Sequence, residues 1–470
     1  MKRSLRRSTF ILLFTIAFII GISFFMVELV LNADKWVNPE NPPYPANQHI
    51  YRENGLAEAG KITDRNGLVL ADNDENGRVY NEDETIRRAL MHTVGDSSTN
   101  ISTAVQSKYR ADLNGYSLIW GMNIPESMRT SRDIALTVDT ETCTAAYNML
   151  KHGFEEPKRG ACVIYNYKTG EVICSVSTPE YDPNDPPVIT EENQDEYDGV
   201  YLDNVLSSTY TPGSVFKIVT AAAALEYIPD IYTRTWTCTG SKDIGGHDIN
   251  CVNGEVHGTI NLKQAMEESC NIVFAELAVE LGPEKMTETA NKMGINMRFD
   301  VDDLQTAKGH YNAEGADDNA LAWTGVGQGF GEYEDKVNPM QMAILCGSIA
   351  NGGTAKSATY IKDGADDLLK NIGIKQVKEY SLVDSDIAQK LKDVMPSYKI
   401  AGLDIRAKTG TAEVGNGKGN NAWFVGYALN DDCPLAFACV VEDAGFGNTY
   451  ARPVVEAALE TATNNLRGKM

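Results

Sequence analysis

Ser214 and Lys217 stand three residues apart in the run TYTPGSVFKIVTAAAALE, residues 209–226. That spacing puts a hydroxyl and an amine on one face of a helix. Pro212 and Gly213 read as the turn into it. Val215, Phe216, Ile218, Val219 and the alanines at 221–224 then cover every face, which marks a buried helix. A buried ammonium is strongly disfavoured, and the same burial lowers an amine's pKa toward neutrality. Serine is a poor nucleophile until a neighbouring base takes its proton, so the setting that makes Lys217 costly also makes it useful. A helix N-terminus adds to this by favouring negative charge on Ser214. Taken alone, Ser-x-x-Lys arises by chance, and the bland reading is that Lys217 snorkels to the surface.

Two further groups could complete a site. Ser269 and Asn271, in EESCNIVF, sit at a helix start or loop ahead of an apolar run. They read as an N-cap or, beside a Ser/Lys pair, as a hydroxyl that relays a proton and an amide that holds a peptide carbonyl. Lys408, Thr409, Gly410 and Thr411 open KTGTAE on a predicted strand. A cation and two hydroxyls beside a strand edge suit a carboxylate and an extended peptide added as a β-strand. A second Lys-Thr-Gly, at 168–170, falls in a predicted hairpin turn where glycine is expected anyway, and reads as a decoy.

The positioning elements follow from texture. RGACVIYNYKTGEVICSVS reads as two strands, and IRAKTGTAEV, NAWFVGYAL and LAFACVVED as three more, with GNGKGN as the first connection among them. Helical patterns, including LKQAMEESCNIVFAELAVEL and MQMAILCGSIA, lie between, and PVVEAALETATNNL reads as a closing helix. Strands early and late with helices between predict a sheet assembled from both ends of one domain. Upstream, GKITDRNGLVLA reads as strand, turn, strand, and NPENPPYPANQ, residues 38–48, as a spacer. The expected organisation is a basic tail over 1–8, a membrane anchor over 9–31, an N-terminal pedestal or interaction module over 32–155, and the main domain over 156–470.

The anchor rests on residues 10–31, apolar apart from Thr15, Ser23 and Glu28, since about 20 residues cross a bilayer. The four bases of MKRSLRRS ahead of it place the N-terminus in the cytoplasm and the rest outside. The chain's net charge of −23 argues against a nucleic-acid partner. Nine cysteines form no dense disulfide framework. Cys238 and Cys251 flank a loop-like segment and can pair in an oxidising compartment or stand as free thiols. His247 and His257 lie nearby, yet the spacing fits none of the usual zinc patterns, and no metal or cofactor is expected.

The order SVFK, SCN, KTG is specific where each motif alone is not. On these motifs, together with GACVIYNYKTGEVICSVSTPEYDPN, GVGQGFGEYEDKVNPMQMA, IANGGT and KTGTAEVGNGKGNNAWFVGYA, the chain resembles the class B, monofunctional penicillin-binding proteins. The resemblance covers nearly the whole region after the anchor. It implies an α+β, serine β-lactamase-like transpeptidase domain, with an antiparallel sheet flanked by helices. It implies that Ser214 attacks the D-Ala-D-Ala stem peptide and that Lys217 takes its proton. Ser269 would pass a proton to the departing D-Ala, and Asn271 would hold the substrate amide. Lys408, Thr409 and Thr411 would bind the terminal carboxylate and tune the site, with the N–H groups of Ser214 and Thr411 as oxyanion hole. β-Lactams would acylate the same serine, and a membrane glycan polymerase and other cell-wall proteins are implied partners. The segment between anchor and main domain is too short for a glycan polymerase. No group is evident that would deliver a deacylating water, as a β-lactamase needs. A D,D-carboxypeptidase would use the same residues, and a non-catalytic scaffold is the reading from a different class.

Overall fold

The computed structural model describes residues 2–31, 59–75, 77–113, 133–195, 197–363, 377–415 and 419–469. The expected spacer at 38–48 and the middle of GNGKGN lie outside the described residues.

The centre of the fold is one six-stranded sheet. β1 (Gly160–Asn166) and β2 (Val172–Thr178) precede the Ser214 region, and β3 (Ser397–Ile400), β4 (Leu403–Ala412), β5 (Asn421–Ala428) and β6 (Leu435–Val441) come from the far end of the chain. Their order is β3-β4-β5-β6-β1-β2, and every neighbouring pair is antiparallel. β6 runs beside β1 from Leu435 opposite Asn166 to Val441 opposite Gly160. The sheet built from both ends therefore forms as the strand pattern predicts. β3 is an addition: SYKI is short, with one buried residue, so hydropathy alone does not disclose it. The second Lys-Thr-Gly occupies the β1–β2 hairpin, where Lys168 pairs with Asp431 at 2.7 Å.

β1, β2, β5 and β6 are buried at every residue, which requires cover on both faces. α1 (Lys2–Leu31) stands apart; α2 (Thr140–His152), α3 (Lys217–Tyr227), α4 (Asn271–Lys292), α5 (Asp318–Gly325), α6 (Pro339–Ala350) and α7 (Ala451–Leu466) are the main helices of the body. α6 lies on β1, β5 and β6, while α7 lies on β5 and β6 and packs against α2, itself on β2. α6 starts cleanly because Asn338 and Gln341 form a reciprocal capping box and Pro339 is pre-set for the first turn. α3 packs against α4, and α4 against α5.

A second sheet, of five short strands, contains the predicted strand-turn-strand as Ile62–Thr63 and Val69–Asp74. It also takes in Ile361–Asp363, paired with Ile134–Leu136. Both sheets feed one continuous apolar core. Ahead of the boundary expected at 155, α2 packs on both the Glu84–Ala89 helix of the module and the large sheet, and Ile361–Asp363 from the main domain joins the second sheet.

α1 is one unbroken helix, and its side chains, described over 11–27, are exposed throughout. Among the described residues no helix is long and apolar enough to cross a membrane. The expected span is therefore not shown by the fold.

Candidate active site

Ser214 sits in a tight turn, Gly213–Phe216, that leads directly into α3. Three backbones meet there. Gly213 has φ 55°, and its N–H donates to the Gly327 carbonyl at 2.9 Å. A Cβ on Gly213 would lie 2.5 Å from the Thr411 carbonyl oxygen. A Cβ on Gly410 would lie 2.9 Å from Val215 and 3.0 Å from the Pro212 carbonyl oxygen. The glycine of Lys-Thr-Gly is thus required by close approach of β4 to the Ser214 turn. The Trp423 indole, on β5, donates to the Thr211 carbonyl at 3.0 Å and ties the turn to the sheet.

α3 is buried along nearly its whole length, and Lys217, its first residue, is fully buried. It does not snorkel. Its Nζ donates to the Asn271 Oδ1 at 2.6 Å and the Ser269 carbonyl at 2.6 Å, and lies 3.1 Å from both Ser214 Oγ and Ser269 Oγ. Burial pulls its pKa down to about 7. At neutral pH a large share of Lys217 is therefore a free amine, able to accept the Ser214 proton.

The continuous helix suggested by LKQAMEESCNIVFAELAVEL is broken. Leu262–Glu267 ends, Ser269 turns at φ 54°, and α4 starts at Asn271. Such a φ on a non-glycine residue costs about 1–3 kcal/mol and persists where surroundings impose it. Ser269 is no N-cap: the cap position is Cys270, with no side-chain cap bond. The Ser269 hydroxyl instead lies between two lysines, because Lys408 Nζ donates to it at 2.9 Å. Asn271 Nδ2 donates to the Asn250 carbonyl at 2.8 Å.

Lys408 is also buried, and its other bond goes to the Thr409 carbonyl at 2.9 Å. Burial, then the charge of Lys217, holds it well below the usual lysine range. It stands behind Ser269 and not at the strand edge where a carboxylate was expected to meet it. Thr409 and Thr411 are half-exposed and share one face of β4. Among the described residues β3 pairs with β4 over 403–406 and the Pro396 carbonyl takes the Ala407 N–H; beyond that the β4 edge faces the Ser214 turn.

The structure thus brings together Ser214, Lys217, Ser269, Asn271 and Lys408 through side chains, and Gly410 and Thr411 through backbone. Sequence reading passed over Gln328, which exchanges bonds with the Glu413 backbone at 3.0 and 3.3 Å and holds the GVGQGFG loop to the end of β4. Gly327, in that loop, accepts from the Gly213 N–H at 2.9 Å and so brings the loop against the Ser214 turn.

Residues 160–460 match the family described as penicillin binding protein transpeptidase domain. The chain is 27% identical over 464 residues to the peptidoglycan D,D-transpeptidase PbpA of Mycolicibacterium smegmatis, covering 89% of this chain and 91% of that protein. It is 26% identical over 443 residues to stage V sporulation protein D of Bacillus subtilis, covering 85% and 67%. Among solved structures, the D,D-transpeptidase domain of a peptidoglycan glycosyltransferase from Eggerthella lenta superposes with a TM-score of 0.70 at 27% identity, covering 86% of this chain and 99% of that one. Penicillin-binding protein A of M. tuberculosis, solved as its penicillin G acyl-enzyme, gives 0.71 at 25%, again covering 86% and 99%. The match takes in the large sheet, the Ser214 turn and both buried lysines, and the chain belongs to the penicillin-binding protein transpeptidase family.

Proposed function

We propose that this chain is a class B peptidoglycan D,D-transpeptidase with Ser214 as nucleophile and Lys217 as its base. The carrying observation is the Lys217 amine, fully buried and 3.1 Å from Ser214 Oγ. Ser214 attacks the penultimate D-Ala carbonyl of a stem peptide, and its proton passes to neutral Lys217. Ser269, hydrogen-bonded to Lys217 and Lys408, relays a proton to the nitrogen of the departing D-Ala. The amine of a neighbouring strand then attacks the acyl-enzyme, forming the cross-link and releasing Ser214. The edge of β4 takes the extended donor peptide, with Thr409 and Thr411 on its carboxylate and Lys408 holding the Ser269 hydroxyl from behind. Backbone N–H groups of Ser214 and Thr411 stabilise the oxyanion, each donor being worth about 2.7–4 kcal/mol by analogy with measured sites. A β-lactam enters the same path, but its leaving nitrogen stays tethered after ring opening.

The basic tail and the exposed apolar face of α1 support an anchor, with the catalytic domain outside the membrane. Retention of the full-length chain in the membrane pellet after alkaline extraction, and release once residues 1–31 are deleted, is the expected result.

The deciding experiment is intact mass of the detergent-purified full-length chain after benzylpenicillin. One penicilloyl group, mapped to the peptide holding Ser214, is expected; a folded chain with no adduct sinks the assignment. With stem-peptide substrates, cross-linked dimers identify a transpeptidase, whereas release of D-Ala alone identifies a carboxypeptidase.

The pH profile follows from Lys217. The reactive form is the free amine, so protonation below its pKa of about 7 removes the base. The acylation rate should fall about tenfold per pH unit below 7 and level off above it. A flat profile between pH 5 and 8, measured by stopped flow, would contradict the role.

A further inference from the structure

We propose that Cys238, Cys251, His257 and Cys270 bind one zinc ion as a closed four-ligand site that holds Ser269 and Asn271 in register with Lys217. Linear spacing conceals the group, because the fourth ligand, Cys270, arrives from the Ser-x-Asn segment and not from the hairpin region that holds the other three.

The four donor atoms lie within 4.8 Å of one another. Cys251 Sγ is 3.7 Å from Cys238 Sγ and 3.8 Å from Cys270 Sγ. Thiolates at about 2.3 Å from a tetrahedral zinc stand about 3.8 Å apart, so these separations already fit a shared ion. His257 turns Nδ1 toward the sulfurs, 3.2 Å from Cys238 and 3.7 Å from Cys251. Its other ring nitrogen faces the exposed Glu255 carboxylate at 3.9 Å, beyond hydrogen-bond length. All three cysteines are buried and the imidazole side chain is 5% exposed.

The surroundings need such a clip. Residues 235–261 form short strands whose side chains are largely exposed, Thr235–Cys238, Ser241–Ile244 and His247–Asn250 among them. Besides its cysteines, this excursion buries only four large apolar side chains, Trp236, Ile244, Ile249 and Ile260, and a metal there adds folding energy to a small core. Three sulfurs and one imidazole leave no open position, which marks a structural and not a catalytic zinc. Binding releases three thiol protons to solvent and leaves a net single negative charge. Cys270 stands at the N-cap of α4, where the helix dipole favours that charge.

Cys270 lies between Ser269 and Asn271, and Cys251 follows Asn250, whose carbonyl accepts from Asn271. One ion therefore clamps both sides of the segment that keeps Ser269 at its positive φ. The zinc assignment stands on these residues independently of the acyl-transfer reading, and the clamp is read through it.

The test uses the full-length chain, purified without added metal. One zinc per chain by plasma mass spectrometry is expected, and cobalt(II) in its place should give thiolate charge-transfer and tetrahedral d–d bands. Cys238→Ser and His257→Ala should each weaken zinc retention against a competing chelator by about tenfold or more. A folded wild-type chain that carries no zinc, with all nine thiols titratable or with a disulfide among Cys238, Cys251 and Cys270, overturns the site. Chelation of the folded wild type should slow benzylpenicillin acylation about tenfold, with recovery on zinc and not on magnesium. Zinc present, yet removable without change in acylation, overturns the clamp while leaving Ser214 as nucleophile intact.

Discussion

Lys217→Met is expected to slow acylation by benzylpenicillin about 10³–10⁴-fold while the chain still folds. Methionine keeps the length of the side chain and removes the only amine within hydrogen-bond reach of Ser214 Oγ among the described residues. A positioned base supplies about 10²–10⁴-fold, and here the loss also removes a partner from the Ser269 relay. Stability moves less, because two terms oppose. The Asn271 and Ser269 oxygens lose a donor, at about 1–3 kcal/mol each if left dry. Against this, an apolar side chain replaces a group whose charged form is penalised by burial. Acylation time courses by intact mass, beside urea unfolding, separate the two effects. The residual rate should also lose its inflection near pH 7. A variant that acylates within tenfold of the parent would show that another group takes the proton.

Gly327→Ala is expected to cost about 2–4 kcal/mol of stability and to lower the acylation rate about 100-fold. Gly327 has φ 79°, and a Cβ there would lie 2.1 Å from the Gly213 carbonyl oxygen and 2.6 Å from Phe216 Cβ. Neither neighbour can yield without moving the turn that carries Ser214. Gly331→Ala is the control, since it has φ 62° and nothing within 4 Å of the added atom. It carries the conformational penalty without the clash, about 1 kcal/mol. Denaturant midpoints of the two variants isolate the contact term, and equal midpoints would remove the argument for a rigid three-backbone junction.

Much of this site was readable from the sequence because its chemistry is written in local patterns. A lysine inside an all-apolar run identified itself as a buried amine, and the three late strands showed plain β texture. What escaped reading depends on contacts between distant segments. The break at Ser269 is invisible to periodicity, since apolar spacing continues from Leu262 into α4 and the turn is fixed by the two lysines that reach its hydroxyl. Lys408 looked like an edge cation because strand alternation says nothing about a long side chain folding back behind its neighbour. Residues 32–155 were taken together by position along the chain, while α2 within them packs both on the module and on α7 and β2. The cysteine–histidine group was passed over because its members gather only when Cys270 is brought up by α4.

The insertion of β6 between β1 and β5 carries a consequence for how the molecule is made. β1 pairs with residues 435–441, and Leu435 lies 269 residues along the chain from its partner Asn166. Contacts this distant close large loops and fold slowly. Without β6, the strands β1 and β2 have only each other as sheet neighbours. The sheet on which the turn of the acylating serine packs therefore cannot be completed by any fragment that stops short of β6.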